Sequence, residues 1–150
     1  MALVAIPAAR APADSGERHT GKSDNILMQG AWKLEKLEFH QNGTVYVPKQ
    51  FSGTRIVEGT KYTLKLKIDG NEGGGLYSFT LRPEKQPKEF DVVMPNGQTV
   101  LGIYRLKGDV LERSYAQPGA PRPTDFRQDG QHYQIWRRIP PGTNPAAPGP

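Results

Sequence analysis

Apolar and polar positions alternate with period two along most of this chain, and turn residues interrupt the alternation at short intervals. The cleanest run is Lys61-Tyr62-Thr63-Leu64-Lys65-Leu66-Lys67-Ile68. Tyr62, Leu64, Leu66 and Ile68 share one face, and Lys61, Lys65 and Lys67 form a solvated row on the other. Over 99–106, Val100, Gly102, Tyr104 and Leu106 point one way and Thr99, Leu101, Ile103 and Arg105 the other. Both faces carry large apolar groups, which suits a strand covered on both sides. Lys107-Gly108-Asp109 supplies turn chemistry, and 110–116 resumes as a strand with Leu111, Arg113 and Tyr115 on one face. Pro118, Pro121 and Pro123 then rule out a helix or a central strand, so a stiff loop ends at the aromatic anchor Phe126.

The other segments read the same way. Ser23-Asp24-Asn25 offers N-cap residues and Gly30 a stop, which predicts one helical turn over 25–29. Strand 31–40 changes parity midway: Trp32 and Leu34 share one face, Leu37 and Phe39 the other, as a β-bulge would require. A helix over 31–37 competes, because Lys and Glu are good helix formers. Asn42-Gly43, a strong hairpin signal, favours the strand. Further strands are expected over 44–47, 54–58, 61–68, 76–81, 89–94 and 131–139. Asp69 to Gly75 and Pro95-Asn96-Gly97 are read as turns. Short strands joined by hairpin-type turns imply a β-sandwich or a closed barrel. Closure would remove vulnerable sheet edges.

Three segments, QGAWKLEKLEFHQNG, GIYRLKGDVLERSYAQPGAPRPTDF and QHYQIWRRI, together resemble a family of small planctomycete domains of uncharacterised activity, themselves similar to lipocalin-like β-barrels. The resemblance covers 27–139. Its leucine-glutamine-glycine-x-tryptophan opening is met by Leu27-Met28-Gln29-Gly30-Ala31-Trp32, with Met28 inserted. The GIY…GD.L and RPTDF segments are the more specific matches. The resemblance implies a bacterial protein that is all-β: a single antiparallel up-and-down β-barrel, lipocalin-like, of about eight strands. It implies no reaction. In lipocalin-like barrels the first-strand tryptophan packs near the floor beneath an arginine of the last strand. The resemblance therefore implies that Trp32 lies at the floor, with Arg137 or Arg138 above it as a cation–π partner.

Length and composition narrow the reading. A chain of 150 residues is expected to form one domain. Its parts would be a flexible leader over 1–24, the barrel over 25–139 and a disordered proline-rich tail over 140–150. With 35% hydrophobic residues and a mean hydropathy of -0.65, the core must be small. The 17 glycines and 14 prolines fit many turns. The absence of cysteine excludes disulfides, thiolate–metal sites and a cysteine nucleophile. The net charge of +5 is mild, and basic residues alternate with acidic ones, so no nucleic-acid partner is expected. No stretch approaches the ~20 apolar residues of a membrane-spanning helix. Residues 1–13 carry the apolar run Ala2 to Ile6 and the cleavage-like Ala11-Pro12-Ala13, but lack the basic start and long apolar core of a signal peptide. They read as a plain leader or a truncated signal, which leaves a cytoplasmic or an exported location open.

The catalytic motifs do not hold together. Gly16-Glu17-Arg18-His19-Thr20-Gly21-Lys22-Ser23 fits the phosphate-loop pattern, but that chemistry needs a parallel strand before the loop and a long helix after it. Neither is present, so the match reads as coincidence. Asp69-Gly70-Asn71-Glu72 opens like a calcium loop, yet the twelfth position falls on Thr80, which cannot chelate as glutamate does. His19, His40 and His132 show no metal-ligand spacing and read as surface residues. Ser78 and Ser114 lack a nucleophile-elbow context. The expectation is a non-enzymatic protein with no cofactor and no metal. A ligand site is expected where the stiff loop, with Arg122, Thr124 and Asp125, meets strands bearing Tyr104 and Tyr115. It would take a small apolar or amphipathic ligand at the open end of a monomeric barrel. Alternatively, Arg122 and Asp125 brace the loop by hydrogen bonds to backbone. A protein-interaction module with a filled core is the other reading, and an interior cavity separates the two.

Overall fold

The structure is a computed structural model that describes residues 23–142. The phosphate-loop-like stretch through Lys22, the signal-like stretch, His19 and the tail from 143 onward lie outside the described residues. The chain opens on one helical turn, α1 (Asp24–Leu27), whose N-cap Ser23 Oγ accepts a hydrogen bond from Ile26 N–H at 3.3 Å. Nine strands follow: β1 (Gly30–Gln41), β2 (Thr44–Tyr46), β3 (Phe51–Glu58), β4 (Lys61–Ile68), β5 (Asn71–Arg82), β6 (Lys88–Val93), β7 (Thr99–Lys107), β8 (Val110–Ala116) and β9 (Gln131–Arg138). From β3 to β9 each strand pairs antiparallel with the next, and β1 pairs with both β3 and β9. That closes an up-and-down barrel of eight strands, as expected, while β2 folds back on the second half of β1 as an extra hairpin arm.

The parity change in β1 is a bulge: its register against β9 slips between Leu34 and Lys36. The slip returns Leu37 to the interior, where it is buried with Trp32 and Leu34. A helix could not have put all three on the barrel axis while pairing with two strands.

One expectation needs correction. Gly73, Gly74 and Gly75 are not part of a turn; they run inside β5, opposite Leu66, Lys65 and Leu64. Gly74 has φ +129°, and a Cβ there would lie 2.0 Å from the Leu64 carbonyl oxygen. Only glycine lets the two backbones approach that closely at Gly74, whereas a Cβ at Gly73 would meet nothing within 4 Å and one at Gly75 would meet the Pro95 side chain at 2.9 Å.

The two ends of the barrel differ. Around Gly30, Glu58, Arg82, Lys107 and Arg138 the barrel is plugged by α1. Met28 is buried there, and Asp24 Oδ2 accepts from Tyr104 O–H at 2.6 Å and from Lys88 Nζ at 2.9 Å. The void beneath the plug is only about 10 Å³, so this half is packed solid. At the opposite end, where β8 stops and β9 starts, no helix among the described residues covers the opening.

The loop over 117–130 leaves that open end and lies on the outer wall. Arg127 N–H donates to Ser114 Oγ at 3.2 Å, Arg105 stands 4.4 Å from the Phe126 ring, and Arg127 stands 4.4 Å from the Tyr133 ring. Ser114, Ile103 and Tyr133 occupy outward-facing positions on their strands, yet all three are buried. The loop therefore buries the second apolar face of β7 that its alternation had indicated.

Candidate functional site

Strand alternation decides what faces the interior. On β3 the inward positions are Phe51, Gly53, Arg55 and Val57; on β8 they are Leu111, Arg113 and Tyr115; on β9 they are His132, Gln134 and Trp136. Two arginines thus point into the barrel. Arg55 is 3% exposed and Arg113 7% exposed. Both line a cavity of about 190 Å³ that opens at the unplugged end. The upper walls are apolar: Leu64, Leu66, Val92, Met94 and Val100. Among the described residues, no aspartate or glutamate lines it.

Aromatic rings hold the flat faces of both guanidiniums. Arg55 Cζ lies 4.1 Å from the Tyr62 ring centre and 5.4 Å from that of Trp136. Arg113 Cζ lies 4.4 Å from Phe90 and 5.1 Å from Tyr115. Such stacking stabilises a cation through its face and leaves the in-plane N–H edges free. Those edges are unpartnered: Arg55 Nε and Nη1 and Arg113 Nε are buried without a hydrogen-bond partner among the described residues. Each orphaned donor costs about 1–3 kcal/mol in the folded state. Burial first, and then repulsion from Arg113, lower the Arg55 pKa to about 9, so it stays charged at neutral pH.

The neutral polar groups nearby are already engaged. Trp136 Nε1–H donates to Gln134 Oε1 at 2.8 Å, and Gln134 Nε2 donates to the Tyr115 hydroxyl at 3.1 Å. His132 Nδ1 lies 3.1 Å from the same hydroxyl and its Nε2 lies 3.2 Å from Gln117 Nε2. Burial pushes the His132 pKa down to about 4, so the ring is neutral near pH 7. Burial also pushes Tyr115 up to about 12. These neutral side chains bond one another, and among the described residues none of them bonds the orphaned donors of Arg55 and Arg113.

The residues singled out from sequence fall in three places. Tyr115 lines the cavity. Tyr104 points inward but toward the plugged end, its hydroxyl held by Asp24. Arg122, Thr124 and Asp125 do not line the cavity, because their loop lies outside the wall. Arg122 Nη1 donates to Phe90 O at 2.8 Å and Gly102 O at 2.9 Å, and its Nη2 meets Asp91 Oδ1 at 2.6 Å. That is the bracing alternative for Arg122. Thr124 bonds only within its loop, through Gln128, and Asp125 is exposed. Trp32 lies at the floor, fully buried, with Arg138 Cζ 4.3 Å from its ring. Arg137 points outward instead, to Glu35 at 2.5 Å. Sequence reasoning missed Arg55, although it sits on the apolar parity of its strand between Gly53 and Val57. It placed Arg113 with Leu111 and Tyr115 but drew nothing from a charge on that face.

No family model matches the chain, and no curated protein does. Among solved structures, a secretary abundant heat soluble (SAHS) protein from Ramazzottius varieornatus, from a dimer sample, matches over 74% of this chain and 94% of its own. The identity is 12% and the TM-score 0.38, a level at which a likeness carries no argument. The antiparallel barrel rests on the strand register itself, and among the described residues no helix is long and apolar enough to cross a membrane.

Proposed function

We propose that this barrel is a non-enzymatic, monomeric binding domain that takes a small apolar or amphipathic ligand through its unplugged end. One observation carries the reading: the plugged half is packed solid, whereas the open half holds a cavity of about 190 Å³ with apolar upper walls. Ligand sites have this form, an apolar cup with a few polar groups at its base. A filled interaction module would have side chains in that space. The likeness of Trp32, GIYRLKGD and RPTDF to planctomycete domains belongs to the same proposal, and with it a bacterial origin.

Native mass spectrometry of protein purified from its own host tests the reading. The expected spectrum shows a small molecule retained at one copy per chain. A bare mass, together with no uptake of the neutral dye Nile red, would remove it.

A further inference from the structure

We infer that the ligand carries an anionic oxygen head group, held at the base of the cup by Arg55 and Arg113, with its apolar tail directed toward the opening. This rests on the binding role proposed above and names the class of molecule bound.

Three features of the interior lead there. First, two buried cations line the same cavity, and no carboxylate lines it among the described residues. A buried charge is normally paired or hydrogen-bonded, and here neither holds. Arg55 and Arg113 also repel each other, so an anion reaching both would relieve that repulsion as well as the desolvation. Second, the rings of Tyr62 and Phe90 fix the guanidinium faces, and the orphaned Nε and Nη1 donors lie on the edges. Guanidinium edges match the oxygens of carboxylates, sulfates and phosphates. Third, Gln134, Tyr115 and Trp136 already bond one another, so the buried donors left without a partner among the described residues are the charged ones of Arg55 and Arg113. The arginines sit at mid-barrel, and Leu66, Met94 and Val100 lie between them and the open end, which sets the order of head and tail. A volume of about 190 Å³ suits one short chain.

Calorimetric titration of the full chain at neutral pH with octanoate, octyl sulfate, octanol and octylamine separates the possibilities. Octanoate or octyl sulfate should bind at least about tenfold more tightly than octanol, the least expected for a hydrogen bond to a charged group. Which of the two anions binds better identifies a planar or a tetrahedral head. Octylamine should not bind. Arg55→Met and Arg113→Met should each weaken the anions by about tenfold or more and leave octanol within about twofold, which also shows that the cup is intact. If either variant fails to melt cooperatively, the wild-type ratio of anion to octanol decides the matter alone. Equal affinity for octanoate, octyl sulfate and octanol would overturn the anionic head while leaving the binding role standing. Anion binding unchanged in both variants would overturn the assignment to these arginines. Failure of all four probes would overturn this inference, and uptake of Nile red would then show that the binding role stands without it.

Discussion

Arg138 and Arg55 both stand over a tryptophan, and the barrel treats their guanidiniums in opposite ways. At the floor, Arg138 stacks on Trp32 at 4.3 Å. Its Nη1 donates to Gln29 O at 2.7 Å, its Nη2 to Leu27 O, and its Nε to Asp109 Oδ1 at 3.1 Å. Face and edges are all in use, and the residue ties α1 to the last strand. In mid-barrel, Arg55 has Tyr62 and Trp136 against its face and, among the described residues, nothing on Nε or Nη1. Stacking is common to both sites; edge satisfaction is not. The first pattern is that of a structural arginine. The second is that of a binding group held ready at the expense of the empty barrel's stability.

Variants at the floor should break the structural side of the comparison. Trp32→Ala removes a fully buried ring and the bond from its Nε1 to Met28 O, and should cost about 3–5 kcal/mol in chemical denaturation. A midpoint like that of the wild type would refute the floor role. Arg138→Met keeps some packing but strands the Leu27 and Gln29 carbonyls, and should cost about 2–3 kcal/mol by the same measurement. An unchanged midpoint would show that α1 does not depend on it.

A smaller effect should appear with pH. Burial holds the His132 pKa at about 4 in the folded state, against an ordinary 6.5. The unfolded chain therefore binds this proton more readily, so the contribution is complete above 6.5 and is lost as pH falls toward 4. Carboxylates titrate in the same range, so the informative quantity is the difference from His132→Gln. That variant should lose less stability than the wild type across the window, and parallel profiles would show that His132 is not held neutral.

Local pattern made most of the fold legible. Parity alone called for a bulge midway in β1, after Leu34 and before Leu37, and the register slips there between Leu34 and Lys36; Asn42-Gly43 located the first hairpin turn. The resemblance, rather than any spacing, supplied the Trp32–arginine pair, and only Arg138 has the inward parity to form it. The loop with Arg122 was legible as stiff but not as to side: three prolines fix its shape, yet nothing local says that Ile103 and Ser114 need cover on the outer wall. The arginine pair was half legible. Alternation puts Arg55 and Arg113 inward, but β3 and β8 are far apart in sequence and meet only across the closed barrel. No local pattern shows that neither finds a counter-ion there.

The most direct test of the contrast is the chemical denaturation of ligand-free Arg55→Met/Arg113→Met against ligand-free wild type. If the two guanidiniums are uncompensated cations in an empty cup, replacing them with apolar side chains of similar length should stabilise the barrel by about 1–4 kcal/mol. A loss of stability of similar size would show that they hold the interior together as Arg138 holds the floor, and would contradict the account.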